Sequence, residues 1–461
     1  MLTLEEALRN VHQSMDPVRL NTIQELVFCR SWEGFSYQEI AEEVGYDADY
    51  VRVVGARLWK TLSNVLGERI TKSNFQVILK QQFVQPDRVS NSPQTNSWQV
   101  QLANAHAMLQ PQSETSLTIE SPEGPVPLGS HFYIERPFVD EFASTEITRN
   151  GALVRIRGPQ RWGKTSLLNR VLAKAQSIGY QSVRLNFHQA DHAVLSDIDS
   201  LLRWFCANVA FQLQMDPRID DFWDEYLGTK TSCTNYLQSY ILENVETAIA
   251  IALDDIHVIF EYPEVAREFL PLLRLWHEEA NNLSLWGKLR IVVAHSTEIY
   301  VPLNLKQSPF NVGIPIKLPP FTLEQVKALA DRHQFSERDQ TVSIDCLKPL
   351  QTLVNGHPYL IRSALFTLAQ GGKSCEQLMK TASTSSGVFA GHLQRLLTLL
   401  QQQTNLAEAF KAVIQAEAPV SIDTISAYKL QSLGLVNLIE DKSLPSCPLY
   451  QQYFQNRVDD F

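Results

Sequence analysis

The chain is 461 residues long, with 44% hydrophobic and 20% charged residues, the balance of an ordinary folded protein with room for about three domains. Its formal net charge of −10 excludes a chain that coats nucleic acid indiscriminately, while leaving room for a local basic face. The six cysteines lack C-x-x-C spacing, so neither a zinc site nor a disulfide framework is expected; with no run of roughly 18 apolar residues and no basic-then-apolar leader, the expectation is a cytoplasmic protein without a membrane partner.

Residues 1–80 read as helical. Pro17 to Trp32 predicts a helix with Leu20, Ile23, Val27 and Phe28 inward, broken by Gly34. Ser36-Tyr-Gln-Glu39 is a capping box that opens a helix over 37–44, with Gly45 at its C-terminal turn. Asp47 can cap a third helix over 48–66, whose apolar stripe is Val51, Val54, Leu58, Leu62 and Val65. Phe35-Ser-Tyr-Gln-Glu-Ile-Ala-Glu-Glu-Val-Gly-Tyr46, with Val54-Gly-Ala-Arg-Leu-Trp-Lys60, Leu66-Gly67 and Asn74-Phe75, resembles the sigma-factor-like helix-turn-helix at the N-terminus of bacterial von Willebrand A/MoxR-associated conflict proteins. For double-stranded DNA, Arg52, Arg57 and Lys60 are the side chains expected to reach groove or phosphates. Asp47 and Asp49 at the start of the recognition helix would repel phosphate, and Trp59 suits a protein contact as well as a base, so an effector or regulatory protein stays open as the partner beside DNA.

Residues 81–127 are dominated by Gln, Ser, Asn and Pro and read as a flexible linker, with a short helix over 98–109 left optional. The core spans 128–318. Ala152 to Arg157 alternates as a strand does, and Ser166 to Gln176 carries helical spacing. Between them Gly158-Pro-Gln-Arg-Trp-Gly-Lys-Thr165 fits the phosphate-binding loop G-x-x-x-x-G-K-[ST] at every fixed position. Gly158, Pro159, Gln160, Arg161, Trp162, Gly163 and Ser166 would cradle phosphates at a helix N-terminus; Lys164 would reach the β- and γ-phosphates, and Thr165 would hold Mg²⁺. Ser182 to Phe187 is the next strand. A helical insertion to about residue 244 follows, whose Trp204, Phe205, Phe211, Phe222, Trp223 and Tyr226 read as core.

Ala248-Ile-Ala-Ile-Ala-Leu-Asp-Asp255 describes a buried parallel strand ending at the ligand edge of a doubly wound sheet. Asp254 would hold Mg²⁺ through water, and Asp255 stands where many such enzymes carry a water-orienting Glu, one methylene longer. Leu289 to Thr297 is another buried strand, ending in His295, Ser296 and Thr297, of which Ser296 is the first choice to sense a γ-phosphate. Ile314 to Phe321 holds a last short strand. Residues 319–402 read as a helical lid, with Thr322 capping one helix, a second over 346–354, and Asn355-Gly-His-Pro-Tyr-Leu360. Residues 403–461 follow the order helix, strand, helix, hairpin and closing helix of a winged helix.

From Phe132 onward this order resembles the bacterial AAA-like domain family, and Gly356-His357-Pro358 resembles the G-x-P element in the lid of signal-transduction ATPases with numerous domains. The resemblance implies that Tyr133 and Arg136, in Phe132-Tyr-Ile-Glu-Arg-Pro137, contact adenine and that Pro358 packs on it. The expected architecture is multidomain: an α helix-turn-helix domain, an α/β P-loop NTPase core with a parallel sheet, a helical lid and a C-terminal winged helix. The expected activity is that of an ATP-binding, slowly hydrolysing switch with Asp255, Lys164 and Ser296 at its catalytic centre, in regulation or a bacterial conflict system; the alternative is a non-catalytic nucleotide-holding scaffold. ATP is favoured over GTP because no Asn-Lys-x-Asp motif follows the Asp-Asp strand. A nucleotide-dependent homo-oligomer stays open, with Arg274 and Arg290 as charges a neighbour could receive.

Overall fold

The computed structural model describes residues 4–14, 20, 22–44, 48–83, 120–296, 308–333, 344–371 and 374–461. They divide into a helical unit of residues 1–41 and 51–120 and a larger unit of residues 42–50 and 121–461. Among the described residues no helix is long and apolar enough to cross a membrane.

The N-terminal helices are α1 (Leu4–Ser14), α2 (Thr22–Trp32), α3 (Tyr37–Val44), α4 (Ala48–Leu66) and α5 (Phe75–Phe83). The capping box forms: the Ser36 N–H donates to Glu39 Oε2 at 2.7 Å, and the Glu39 N–H to Ser36 Oγ at 3.2 Å. α2 runs Thr22–Trp32, the expected start at Pro17 lies outside the described residues, and α1 and α5 are additions to the expected trio. Gly45, Asp47 and the side chains of Ile23 and Asp49 lie outside the described residues. Four members of the α4 stripe are buried, but Val65 is 39% exposed. Trp59 is core rather than a contact for a partner. It is 5% exposed, its ring lies 4.6 Å from that of Phe75, and its Nε1 donates to the Tyr37 hydroxyl at 2.7 Å. An indole that finds one hydrogen-bond acceptor can be buried whole, which is why this one closes the bundle.

The larger unit is built on a five-stranded sheet ordered β2-β3-β4-β1-β5. Its strands are β1 (Leu153–Arg157), β2 (Gln181–Asn186), β3 (Ile249–Asp254), β4 (Leu289–His295) and β5 (Ile314–Lys317). All four ladders are parallel. Every residue of β3 and β4 is buried, as the continuous apolar runs require of strands covered on both faces. The helices that precede, cover and cross over the sheet include α6 (Pro137–Glu146), α7 (Lys164–Ser177), α8 (Ile198–Gln212) and α9 (Pro263–Glu279). Phe205 sits in the core and Trp204, Phe222 and Trp223 pack against it. Phe211 and Tyr226 depart from expectation: Phe211, in the last turn of α8, is 77% exposed, and Tyr226, in a turn, is 100% exposed.

Beyond the sheet come α10 (Leu323–Asp331), α11 (Ile344–Leu353), α12 (Pro358–Ala369), α13 (Cys375–Thr381), α14 (Ala390–Gln401), α15 (Thr404–Gln415) and α16 (Thr424–Ser432). An antiparallel hairpin of β6 (Val436–Ile439) and β7 (Lys442–Pro445) and a closing α17 (Pro448–Gln455) complete the chain. The strand expected at Pro419 to Ile422 is a single bridge, Val420 to Ser443. The expectation of no disulfide is corrected: Cys346 at α11 and Cys375 at α13 are bonded, with Cα atoms 6.0 Å apart. Sequence spacing could not show this, because the fold, not the motif, brings the two helices together.

Candidate functional site

β1 ends at Arg157 and α7 begins at Lys164, so the intervening residues must turn within a few ångströms of the sheet's carboxyl edge. They do so through left-handed backbone at Arg161 (φ 63°) and Gly163 (φ 91°), which leads the loop onto the N-terminus of a 14-residue helix, the positive end of its dipole. Lys164 is 6% exposed, and its Nζ donates to the Pro159 carbonyl at 2.8 Å. Burial brings its pKa down to about 8, against the opposing pull of Asp255 and Asp254.

The register Asn186 to Asp254 and Leu253 to Val293 brings the β3 end beside those of β2 and β4. Asp254 is fully buried, and the Thr165 hydroxyl lies 3.2 Å from both of its carboxylate oxygens. Arg184 of β2 reaches the same carboxylate, Nη2 to Oδ2 at 2.7 Å. Asp255 adopts left-handed backbone (φ 54°), which turns its carboxylate out of the strand to within 3.9 Å of His188 Nε2 and 4.0 Å of His257 Nδ1. Burial raises the Asp255 pKa, and the charge of Asp254 adds to it. Burial also drives His257 down to about 3, so this imidazole stays neutral beside the carboxylate.

A cavity of about 450 Å³ opens in front of the loop. Gln160 to Ser166, Tyr133, Arg136, Asp255 and Pro358 all line it, so it gathers most of the expected site. Two buried donors on the loop, Arg161 Nη1 and Trp162 Nε1, have no partner among the described residues. Orphaned donors beside a buried ammonium at a helix N-terminus fit an anionic ligand such as a polyphosphate. A hydroxyl and a carboxylate in contact beside them are the hard oxygen donors that Mg²⁺ takes. Tyr133 and Arg136 also serve the framework. The Tyr133 hydroxyl bonds to Asp140, while Arg136 donates to the carbonyls of Trp162 (2.9 Å) and Pro319 (3.2 Å). Pro358 opens α12, and the buried ring of His357 before it lies 5.6 Å from that of Trp162.

The rest of the expected set lies elsewhere. Gly158 and Pro159 are off the cavity wall; the Gly158 N–H donates to the His295 carbonyl at 3.4 Å. Ser296 is 3% exposed and accepts the Ser432 hydroxyl at 2.9 Å. Thr297 lies outside the described residues. Arg290 is a framework residue instead of a charge for a neighbour: at the far end of β4 it is 3% exposed and bonded to the Gly287 carbonyl and Asn150. Arg274 bonds Glu278 and the Ser308 carbonyl. In the other unit, Arg52 and Lys60 are exposed and Arg57 half-buried, all on α4.

Three features escape the sequence reading. Ser121 to Pro127, assigned by composition to the linker, packs on the core as a strap along the cavity. The Val126 N–H donates to Ser166 Oγ (2.9 Å), Arg170 donates to the Val126 and Pro127 carbonyls, and Glu123 accepts the Tyr359 hydroxyl (2.7 Å). Arg184 is the second, and a charge between the two apolar residues of an alternating strand was its only signal. The third is the contact of α16 with the loop: the Gln160 N–H donates to the Ser432 carbonyl at 2.8 Å, and Arg157 reaches Gln431 at 3.2 Å.

The sequence profile of the AAA-like domain family matches residues 121–456, and that of the N-terminal helix-turn-helix of vWA-MoxR associated proteins matches residues 3–82. No curated protein matches the chain. Among solved structures it is similar to a Walker-type ATPase of Pyrococcus abyssi, at 14% identity, a TM-score of 0.47, and coverage of 70% of this chain and 96% of that one. It is also similar to the ORC2 protein of Aeropyrum pernix solved as ADPNP-ADP complexes (14% identity, TM-score 0.41, 73% of this chain and 96% of that one). Domain III of the Thermotoga maritima replication initiation protein DnaA matches at 14% identity with a TM-score of 0.34, over 54% of this chain and 94% of that one.

Proposed function

The chain belongs to the AAA-like domain family, and on that premise we propose that it is an ATP-binding, slowly hydrolysing molecular switch whose output is the N-terminal helix-turn-helix. The observation that carries this reading is the pair of hydrogen bonds at Ser432, one from the backbone of the phosphate loop and one to Ser296 at the end of β4. A segment bonded to both responds to any change in what the loop holds.

In this reading Gly158, Pro159, Gln160, Arg161, Trp162, Gly163 and Ser166 shape the phosphate cradle, and Lys164 opposes phosphate charge. Thr165 and Asp254 hold Mg²⁺, and Tyr133, Arg136 and Pro358 flank the base. Bound there, ATP with Mg²⁺ would supply the phosphoanhydride whose cleavage separates the two states of the switch. Asp255 takes a proton from water at its carboxylate. Burial has raised its proton affinity, and a reach shorter than that of glutamate makes turnover slow. Ser296 reports the loop's state to residues 403–461, acting as a winged helix, and residues 319–402 act as the lid. The output surface carries Arg52, Arg57 and Lys60, for double-stranded DNA or for an effector or regulatory protein in regulation or defence, with homo-oligomerisation as a further route.

A second reading, a non-catalytic scaffold that holds nucleotide permanently, is favoured by the grip of Arg184 on Asp254. Phosphate release assays separate the two: the switch turns over ATP and loses that turnover in Lys164→Ala and Asp255→Asn, whereas the scaffold releases no phosphate in any form.

A further inference from the structure

We propose that Arg184 is a built-in counter-cation of Asp254 that competes with the divalent metal, so that the site accepts nucleotide without metal and takes up metal only as the guanidinium withdraws. This rests on the reading of the loop as a nucleotide site and deepens it.

The Asp254 carboxylate is fully buried, a position in which an uncompensated charge is strongly unfavourable. Beside the nearby Lys164 ammonium, two groups contact it. The Thr165 hydroxyl lies 3.2 Å from each carboxylate oxygen, and Arg184 Nη2 lies 2.7 Å from Oδ2. Oδ2 is therefore engaged by a full positive charge on the carboxylate assigned to the metal. Two like charges on one carboxylate repel, so metal and guanidinium exclude one another.

The hold of Arg184 is strong enough to neutralise and loose enough to release. Its backbone is pinned: the N–H donates to Gln212 Oε1 at 2.8 Å, and Gln212 Nε2 donates to its carbonyl at 2.9 Å. Movement is thus confined to the side chain. That side chain touches the carboxylate through one nitrogen rather than the two-pronged grip that makes arginine pairs firm, and its buried Nε has no partner among the described residues. It is also 36% exposed, against 0% for Asp254, so a path to water exists for the guanidinium and none for the carboxylate.

The test is equilibrium binding of fluorescent ADP to the full chain in EDTA and across a Mg²⁺ titration, for wild type, Arg184→Gln and Arg184→Lys. Wild type is expected to bind ADP in EDTA within about tenfold of its affinity in Mg²⁺. Arg184→Gln should lose at least about tenfold in EDTA, where a bare carboxylate faces the phosphates, and should reach its Mg²⁺ midpoint at about tenfold lower concentration. Arg184→Lys, which keeps the charge, should fall between the two. Should Arg184→Gln fail to fold, the wild-type arm still decides: affinity in EDTA more than about 100-fold below that in Mg²⁺ overturns the proposal. An unchanged midpoint in a folded Arg184→Gln overturns it too, while leaving the nucleotide site standing. Wild type that binds no nucleotide under either condition overturns the site itself.

Discussion

The hydroxyl of Ser432 on α16 donates to the hydroxyl of Ser296 at the end of β4 at 2.9 Å, and both side chains are buried. Two segments 136 residues apart are thus joined at the sheet's ligand edge, beside the Gln160 bond from the loop. Ser432→Ala leaves the Ser296 oxygen buried without this donor and should cost about 1–2 kcal/mol in urea unfolding. It should also raise hydrogen exchange in α16. Wild-type exchange there in the variant would mean that the hydroxyl pair does not hold the helix.

Lys164 should make the stability of the nucleotide-free protein depend on pH. Its folded pKa of about 8 lies below the ordinary 10.5, so the unfolded chain binds the proton more tightly. Stability from this group rises as pH climbs from about 8 to 10.5 and is missing below that window. Lys164→Met should therefore stabilise the nucleotide-free protein at pH 7, by up to about 3 kcal/mol, and flatten the rise above pH 8. The same variant should lose all stabilisation by added nucleotide. Thermal melts against pH, with and without ADP, check both halves.

In the N-terminal unit, a methyl added at Gly55 would come within 2.5 Å of the Tyr37 hydroxyl, the acceptor for Trp59 Nε1. Gly55→Ala gains helix propensity on α4 but must displace the half-buried Tyr37 ring and the hydrogen bond it accepts from Trp59. The net effect should be a loss of about 1–3 kcal/mol, visible as a lower urea midpoint. A rise in the midpoint would show that Tyr37 moves aside freely.

The proposed output surface on α4 is tested by removing its charge. Arg52→Ala with Arg57→Ala and Lys60→Ala should abolish duplex DNA affinity and flatten its salt dependence by about one per lost phosphate contact. If wild type has no salt-sensitive affinity for duplex DNA at low ionic strength, the helix-turn-helix serves a protein partner instead.

The sheet and the loop were legible because their signals are local. β3 is one unbroken apolar run closed by two carboxylates, and the loop from Gly158 to Thr165 is fixed residue by residue. The helix over 37–44 was legible for the same reason, since Ser36 and Glu39 cap each other across one turn. What was hidden depends on distance in the chain. The strap from Ser121 to Pro127 has a linker's composition, and only Ser166, Arg170 and Tyr359 give it a place to lie. Arg184 and Asp254 are 70 residues apart, and Cys346 and Cys375 meet only because α11 and α13 converge. Trp59 looked available to a partner because the residues that bury it, Phe28 and Phe75, belong to other helices.

The most direct test of the switch is small-angle scattering with size-exclusion light scattering on wild type and Lys164→Ala, in Mg²⁺ with either ADP or a non-hydrolysable ATP analogue. A change in compactness or assembly with the ATP analogue, absent with ADP and absent in Lys164→Ala, is the predicted result. Identical profiles with the two nucleotides in a wild type that binds both would contradict a γ-phosphate-gated switch and leave the scaffold.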